Sequence, residues 1–152
     1  MRFLGVLLVL ITPLLLSAGE DDVRKELKAL QGKWKAVALE AGGKPLPKTA
    51  VPDFLFIVGT DGKATGRMGK VEYQAKVIVD PAKKPRTIDN VHETGAHKGK
   101  KQFGIYKLEG DKWTVCITAP GATESDRPKS FDTKDTKNVV FIFERAKEVK
   151  KP

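Results

Sequence analysis

Between residues 32 and 145 the chain alternates apolar with polar side chains over short runs, and turn residues cut one run from the next. Val71, Tyr73, Ala75, Val77 and Val79 stand against Glu72, Gln74 and Lys76, with Ile78 the one apolar residue on the polar side. A period of two belongs to a strand with one buried and one wet face. Asp61-Gly62 and Glu109-Gly110-Asp111 part neighbouring runs by hairpin lengths. The spacing predicts about eight short strands, over 34–39, 54–58, 63–67, 71–79, 87–91, 101–108, 112–118 and 138–145. Only residues 20–31 break the rhythm. There Val23, Leu27 and Leu30 recur at helical spacing behind Glu20-Asp21-Asp22, and Gly32 stands where a left-handed C-terminal cap belongs. One short helix followed by strands at hairpin spacing means a sandwich or an up-and-down barrel. Residues 119–137 form a loop that is long for a pure connector.

Residues 1–19 are of another kind. Met1-Arg2 precedes an uncharged apolar run over 3–16, then come the small residues Ser17-Ala18-Gly19 and the acidic cluster. These are the three parts of a cleavable secretion signal. The run is short for a membrane span and Pro13 interrupts it, and no cysteine follows the small residues. The expectation is an exported, monomeric protein of the periplasm or the medium, with no transmembrane segment in its mature form. Residues 20–146 would make one β-barrel domain and 147–152 a basic tail. Cys116 is the single cysteine, so burial rather than a disulfide must hold the fold. The formal charge of +9 is densest at Lys83-Lys84-Pro85-Arg86, at Lys98-Gly99-Lys100-Lys101 and in the tail. Such runs suit solvated loops or an anionic envelope component. Nucleic acid is not an expected partner, because the aromatic residues fall at strand spacing, away from the basic runs.

Leu30-Gln31-Gly32-Lys33-Trp34 sets Gly-x-Trp directly after the helix. This resembles the opening of lipocalin-type barrels, in which the tryptophan plugs one end and an arginine late in the last strand packs over it. The resemblance assigns these structural roles to Trp34 and Arg145. A closer likeness covers nearly all of the chain after the signal. It rests on residues 30–34 with Glu40 and Gly43, on Asp-Pro-x-Lys-x-Pro at 80–85 with Ile88-Asp89, on Gly-Ile-Tyr-x-Leu-x-Gly-Asp at 104–111 with Cys116, and on Arg127-Pro128-Lys129-Ser130-Phe131. In these segments the chain is similar to a lipocalin-like family of functionally uncharacterised exported domains abundant in planctomycete bacteria. What the resemblance implies is an all-β fold, a single antiparallel up-and-down barrel with one short N-terminal helix.

No catalytic, cofactor or metal site is predicted. His92 and His97 lie five apart, whereas the zinc-protease pattern needs four to put both rings on one helix face, and Gly95 opposes a helix. Gly59, Gly62, Gly66 and Gly69 before Lys70 miss the phosphate-loop spacing and read as turn and bulge residues. Ser125 and Ser130 sit in a polar loop outside any Gly-x-Ser-x-Gly. Cys116 reads as a small apolar group in a strand. An eight-stranded barrel is just wide enough to be filled by its own side chains or to hold one small ligand. Tyr73, Phe103, Tyr106 and Trp113 are the candidates to line such a space. Two non-enzymatic functions follow. One is a binding module for a small apolar molecule. The other is an envelope interaction or structural protein with a filled barrel, acting through its outer surface, its basic loops and the long 119–137 segment.

Overall fold

The computed structural model describes residues 18–147. The expected signal segment lies outside the described residues except for Ala18 and Gly19, and so does the basic tail except for Lys147.

A helix, α1 (Glu20–Leu30), precedes nine strands: β1 (Gly32–Ala41), β2 (Lys44–Pro45), β3 (Phe54–Val58), β4 (Lys63–Met68), β5 (Val71–Asp80), β6 (Arg86–His92), β7 (Lys101–Glu109), β8 (Lys112–Ile117) and β9 (Val139–Arg145). From β3 to β9 each strand pairs with the next in sequence, β1 pairs with β3, and β9 returns to pair with β1. All pairings are antiparallel, so eight strands close into an up-and-down barrel. The two residues of β2 fold back on the end of β1, in a stretch that reads as plain loop because Pro45 and Pro47 flank Leu46. Closure leaves the barrel strands no free edge for another chain to pair with. Among the described residues no helix is long and apolar enough to cross a membrane.

β1 is shared unequally. Its first half, Gly32 to Lys35, pairs with β3, while its pairing with β9 runs from Trp34 to Ala41 with a register shift between Ala36 and Ala38. Val37 is the extra residue of this bulge and points outward, 37% exposed. Bulges of this kind bend a strand and tighten its twist, which a small barrel needs in order to close. Gly62, in the β3–β4 turn, has φ 81, and a Cβ there would lie 2.6 Å from the Val77 carbonyl oxygen. No other residue fits that turn.

α1 lies across one end of the barrel. Leu30 is fully buried, and Val23 and Leu27 pack on the interior cluster formed by Trp34, Phe56, Val58, Val77, Tyr106 and Trp113. The Trp34 indole N–H donates to the Leu30 carbonyl at 2.7 Å. Glu26 reaches inside, accepting from the Tyr106 hydroxyl at 2.8 Å and from Arg86 at 2.9 Å. Arg145 closes the arrangement. Its guanidinium lies 4.2 Å from the centre of the Trp34 ring and donates to Gln31 O at 2.7 Å, Ala29 O at 3.1 Å and Asp111 at 3.0 Å. Gly32 is not the left-handed cap that the sequence suggests. Its φ is 124, and a Cβ there would meet Arg145 Nη1 at 2.9 Å, so its small size clears the guanidinium and Arg145 itself caps the helix.

A second cluster lies outside the barrel wall. Ile105, Cys116 and Val140 pack there with Phe131 and Ile142. The segment between β8 and β9 covers them, pinned by Arg127, which donates to Gly104 O at 2.9 Å and pairs with Asp89 at 2.7 Å. The length of this connection, which suggests a contact surface in the sequence, is used to cover an apolar patch of the chain's own wall.

Trp34→Ala is expected to cost about 3–5 kcal/mol of stability in urea unfolding. Arg145→Ala should cost about 2 kcal/mol, with Arg145→Lys recovering only part, because an ammonium cannot serve two carbonyls and a ring face together. A loss below about 1 kcal/mol for Trp34→Ala would mean that the tryptophan plugs nothing.

Candidate functional site

The end opposite α1 stays open. Trp34, Trp113 and Tyr106 fill the closed half, and beyond them the rings of the wall alternate with the small residues Ala36, Gly66 and Ala75, so the interior is not filled. A cavity of about 220 Å³ results. Phe54, Phe56, Trp113, Phe141 and Phe143 form most of its wall, with Ile88, Val115 and Ile117, while Met68, Tyr73, His97 and Pro120 lie at its mouth. The rings hold each other: Phe54 meets Phe141 and Phe143 edge-on at 5.6 Å, and Trp113 lies 5.5 Å from Phe143. Edge-on pairs at these separations are favourable beyond their buried area, so the wall is preorganised.

Three polar side chains interrupt this surface. β6 alternates strictly, and the face that carries Ile88 also carries Asn90 and His92 into the barrel. His92 is buried, stacks on Tyr73 at 4.8 Å between ring centres, and its Nε2 lies 2.8 Å from Gln102 Oε1. Gln102 in turn donates to the Thr118 carbonyl at 2.9 Å. Asn90 has no such support: its Oδ1 is buried without a hydrogen-bond partner, and so is the indole N–H of Trp113. Each such orphan costs roughly 1–3 kcal/mol relative to a satisfied group. An unpaired acceptor and an unpaired donor thus belong to side chains that line one aromatic cavity.

Of the four aromatic candidates, Tyr73 and Trp113 line the cavity. Gly66 makes room for Tyr73, since a Cβ there would collide with the tyrosine ring; it is a wall residue of β4 and not a turn residue. Tyr106 also points inward but lies at the closed end, bonded to Glu26. Phe103 is on the other side of the wall, under the Arg127 guanidinium at 5.2 Å. Residues 103 to 106 of β7 are all buried, because the 119–137 segment covers its outer face, so no alternation marks which side is inside. Asn90, His92 and Gln102 were not among the candidates. Asn90 and His92 had a legible signal, polar residues at i+2 and i+4 on the face that Ile88 opens.

His92 and His97 approach to 5.7 Å between ring centres. Among the described residues no three of His, Cys, Asp and Glu come together as a metal site would require. Cys116 is wholly buried under the 119–137 segment, and desolvation pushes its thiol from 9.0 up to about 11. Tyr73 is raised by the same cause from 10.0 to about 12, and Tyr106 is raised further, by burial and by the Glu26 carboxylate that it faces.

Comparison with family models, with curated proteins and with solved structures finds no match for this chain.

In each of these three groups the folded state holds its proton more tightly than the unfolded chain does. Their contribution to stability is therefore complete below about pH 9 and is lost as pH rises through about 11 and then 12. The urea midpoint should hold level to about pH 9 and then fall, Cys116→Ala should remove the earliest part of the fall, and tyrosinate absorbance should appear only with unfolding. Tyrosines that ionise near pH 10 in the folded protein would show the rings to be wet.

Proposed function

We propose that this protein is an exported binding module of the lipocalin type, which holds one compact, mainly apolar molecule in the open end of its barrel. The observation that carries this reading is an aromatic cavity lined by Asn90 and Trp113, two side chains that each hold a buried polar atom without a hydrogen-bond partner. An apolar pocket with a few convergent polar groups is the usual form of a small-molecule site. Its 220 Å³ is small for such sites. An apolar cavity of about 150 Å³ already holds benzene, so the occupant is one ring or a short branched chain in size, with a hydrogen-bonding group attached. A ligand that accepts from Trp113 and donates to Asn90 would remove both penalties.

The signal-like segment at 1–19 supports export, and the Gly-x-Trp opening with Arg145 over Trp34 supports the lipocalin-type assignment. Binding rather than turnover is the reading, since the Nε2 of His92 is taken by Gln102 and its ring stacks on the face of Tyr73, an arrangement that pairs it with no nucleophile.

Benzamide and toluene serve as single-ring probes of this site. In nitrogen-labelled protein, benzamide should move the indole resonance of Trp113 and leave that of Trp34, which is already bonded to Leu30 O. Asn90→Leu should raise stability by about 1–2 kcal/mol, because it deletes a buried orphan, and weaken benzamide at least about tenfold relative to toluene. A silent Trp113 resonance together with a destabilised Asn90→Leu would contradict the proposal.

A further inference from the structure

The mouth of the cavity carries a surface feature that ligand binding alone does not require. The turn between β4 and β5 is only Gly69-Lys70, and it holds Met68 and Val71 opposite each other at its base. Both are in solvent, Met68 40% and Val71 66% exposed, although turns at the open end of a barrel are ordinarily polar. Met68 also lines the cavity, so the exposed tip is continuous with the interior.

The neighbouring loop, 93–100, is folded against this hairpin. Glu93 N–H donates to Gln74 O at 2.8 Å, Thr94 Oγ1 accepts from Gln74 N–H at 2.8 Å, and Gly95 approaches the Tyr73 side chain. The loop brings Lys98, Lys100 and Lys101 to the same rim as Lys70, all four exposed, and none of them forms an ion pair among the described residues. Of the nearby acids, Glu72 is paired with Arg67 at 2.8 Å and Asp53, whose carbonyl accepts from Gly69 N–H, is paired with Lys35 at 3.8 Å, which leaves Glu93 as the opposing charge in the loop. An apolar tip flanked by unpaired lysines matches an anionic lipid surface, where the lysines meet head groups and the apolar side chains reach the acyl boundary.

We propose that the open rim docks on anionic membranes through Met68 and Val71, with Lys70, Lys98, Lys100 and Lys101 around them, so that the cavity mouth faces the bilayer. The basic run at 98–101 thereby acquires a role that solvation alone does not give it. The proposal goes beyond the ligand reading and stands without it: loss of benzamide binding would leave it intact.

The full chain and its Met68→Ser/Val71→Ser variant are to be sedimented with phosphatidylcholine vesicles, with and without phosphatidylglycerol. Residues 1–19 are common to both proteins, so the difference between them reads the rim. The wild type should partition at least about tenfold better onto the anionic vesicles, and the double variant should lose about tenfold of that, since two partly buried apolar side chains account for a step of this size. An environment-sensitive fluorophore on Val71→Cys should shift to the blue on binding, whereas on Ile78→Cys, exposed on the outer wall, it should not; the buried Cys116 leaves either label selective. Absence of partitioning, a double variant that binds like the wild type, or equal response at positions 71 and 78 would each overturn the proposal.

Discussion

The Arg145 guanidinium makes four contacts that bind the molecule into one piece. It covers the Trp34 ring at 4.2 Å, donates to two carbonyls at the C-terminal end of α1, and pairs with Asp111 in the turn between β7 and β8. The last strand, the first strand, the helix and a hairpin turn thus meet at one side chain. A cation at a helix C-terminus is favoured by the helix dipole, and one over an indole face by the ring quadrupole. Arginine alone satisfies both, since its planar fork serves two carbonyls while its face lies on the ring. Gly32 is the local consequence: any larger residue would displace the guanidinium.

Closing one end so thoroughly determines what the other end can be. Trp34, Trp113, Tyr106 and the apolar face of α1 occupy the closed half of the interior. What remains is a space of about 220 Å³ with aromatic walls and polar groups left without partners. Natural cores rarely tolerate such orphans, and the proposed ligand is the group that would satisfy them. A design for stability alone would place a leucine where Asn90 stands.

Much of this architecture was legible in the sequence, and the failures have physical causes. Strands with one wet face, β3 and β5 above all, show their period and their bounds directly, as Phe54–Val58 does to the residue. β7 and β8 show their bounds to within a residue but not their inner face, because the 119–137 segment buries their outer face and removes the alternation. That is why Phe103 reads as a cavity residue while it packs outside, and why Tyr106 cannot be separated from Tyr73 by pattern. The segment itself reads as a polar loop because Asp, Lys and Thr dominate it, while Arg127 and Phe131, which fasten it, are isolated residues with no period. Asn90 illustrates the limit of composition: in sequence it is one polar residue among many, and only the closed barrel shows that its oxygen has nowhere to turn.

The central claim is that the open half of the barrel is built around a resident small molecule. Native mass spectrometry of the protein, purified gently from its own host, tests it most directly. At the volume per mass of liquid water, the cavity accommodates an occupant on the order of 100–200 Da. The account predicts a folded species heavier than the bare chain by one such mass, released when the barrel is unfolded. A folded protein that carries the mass of the chain alone under every gentle preparation would contradict it.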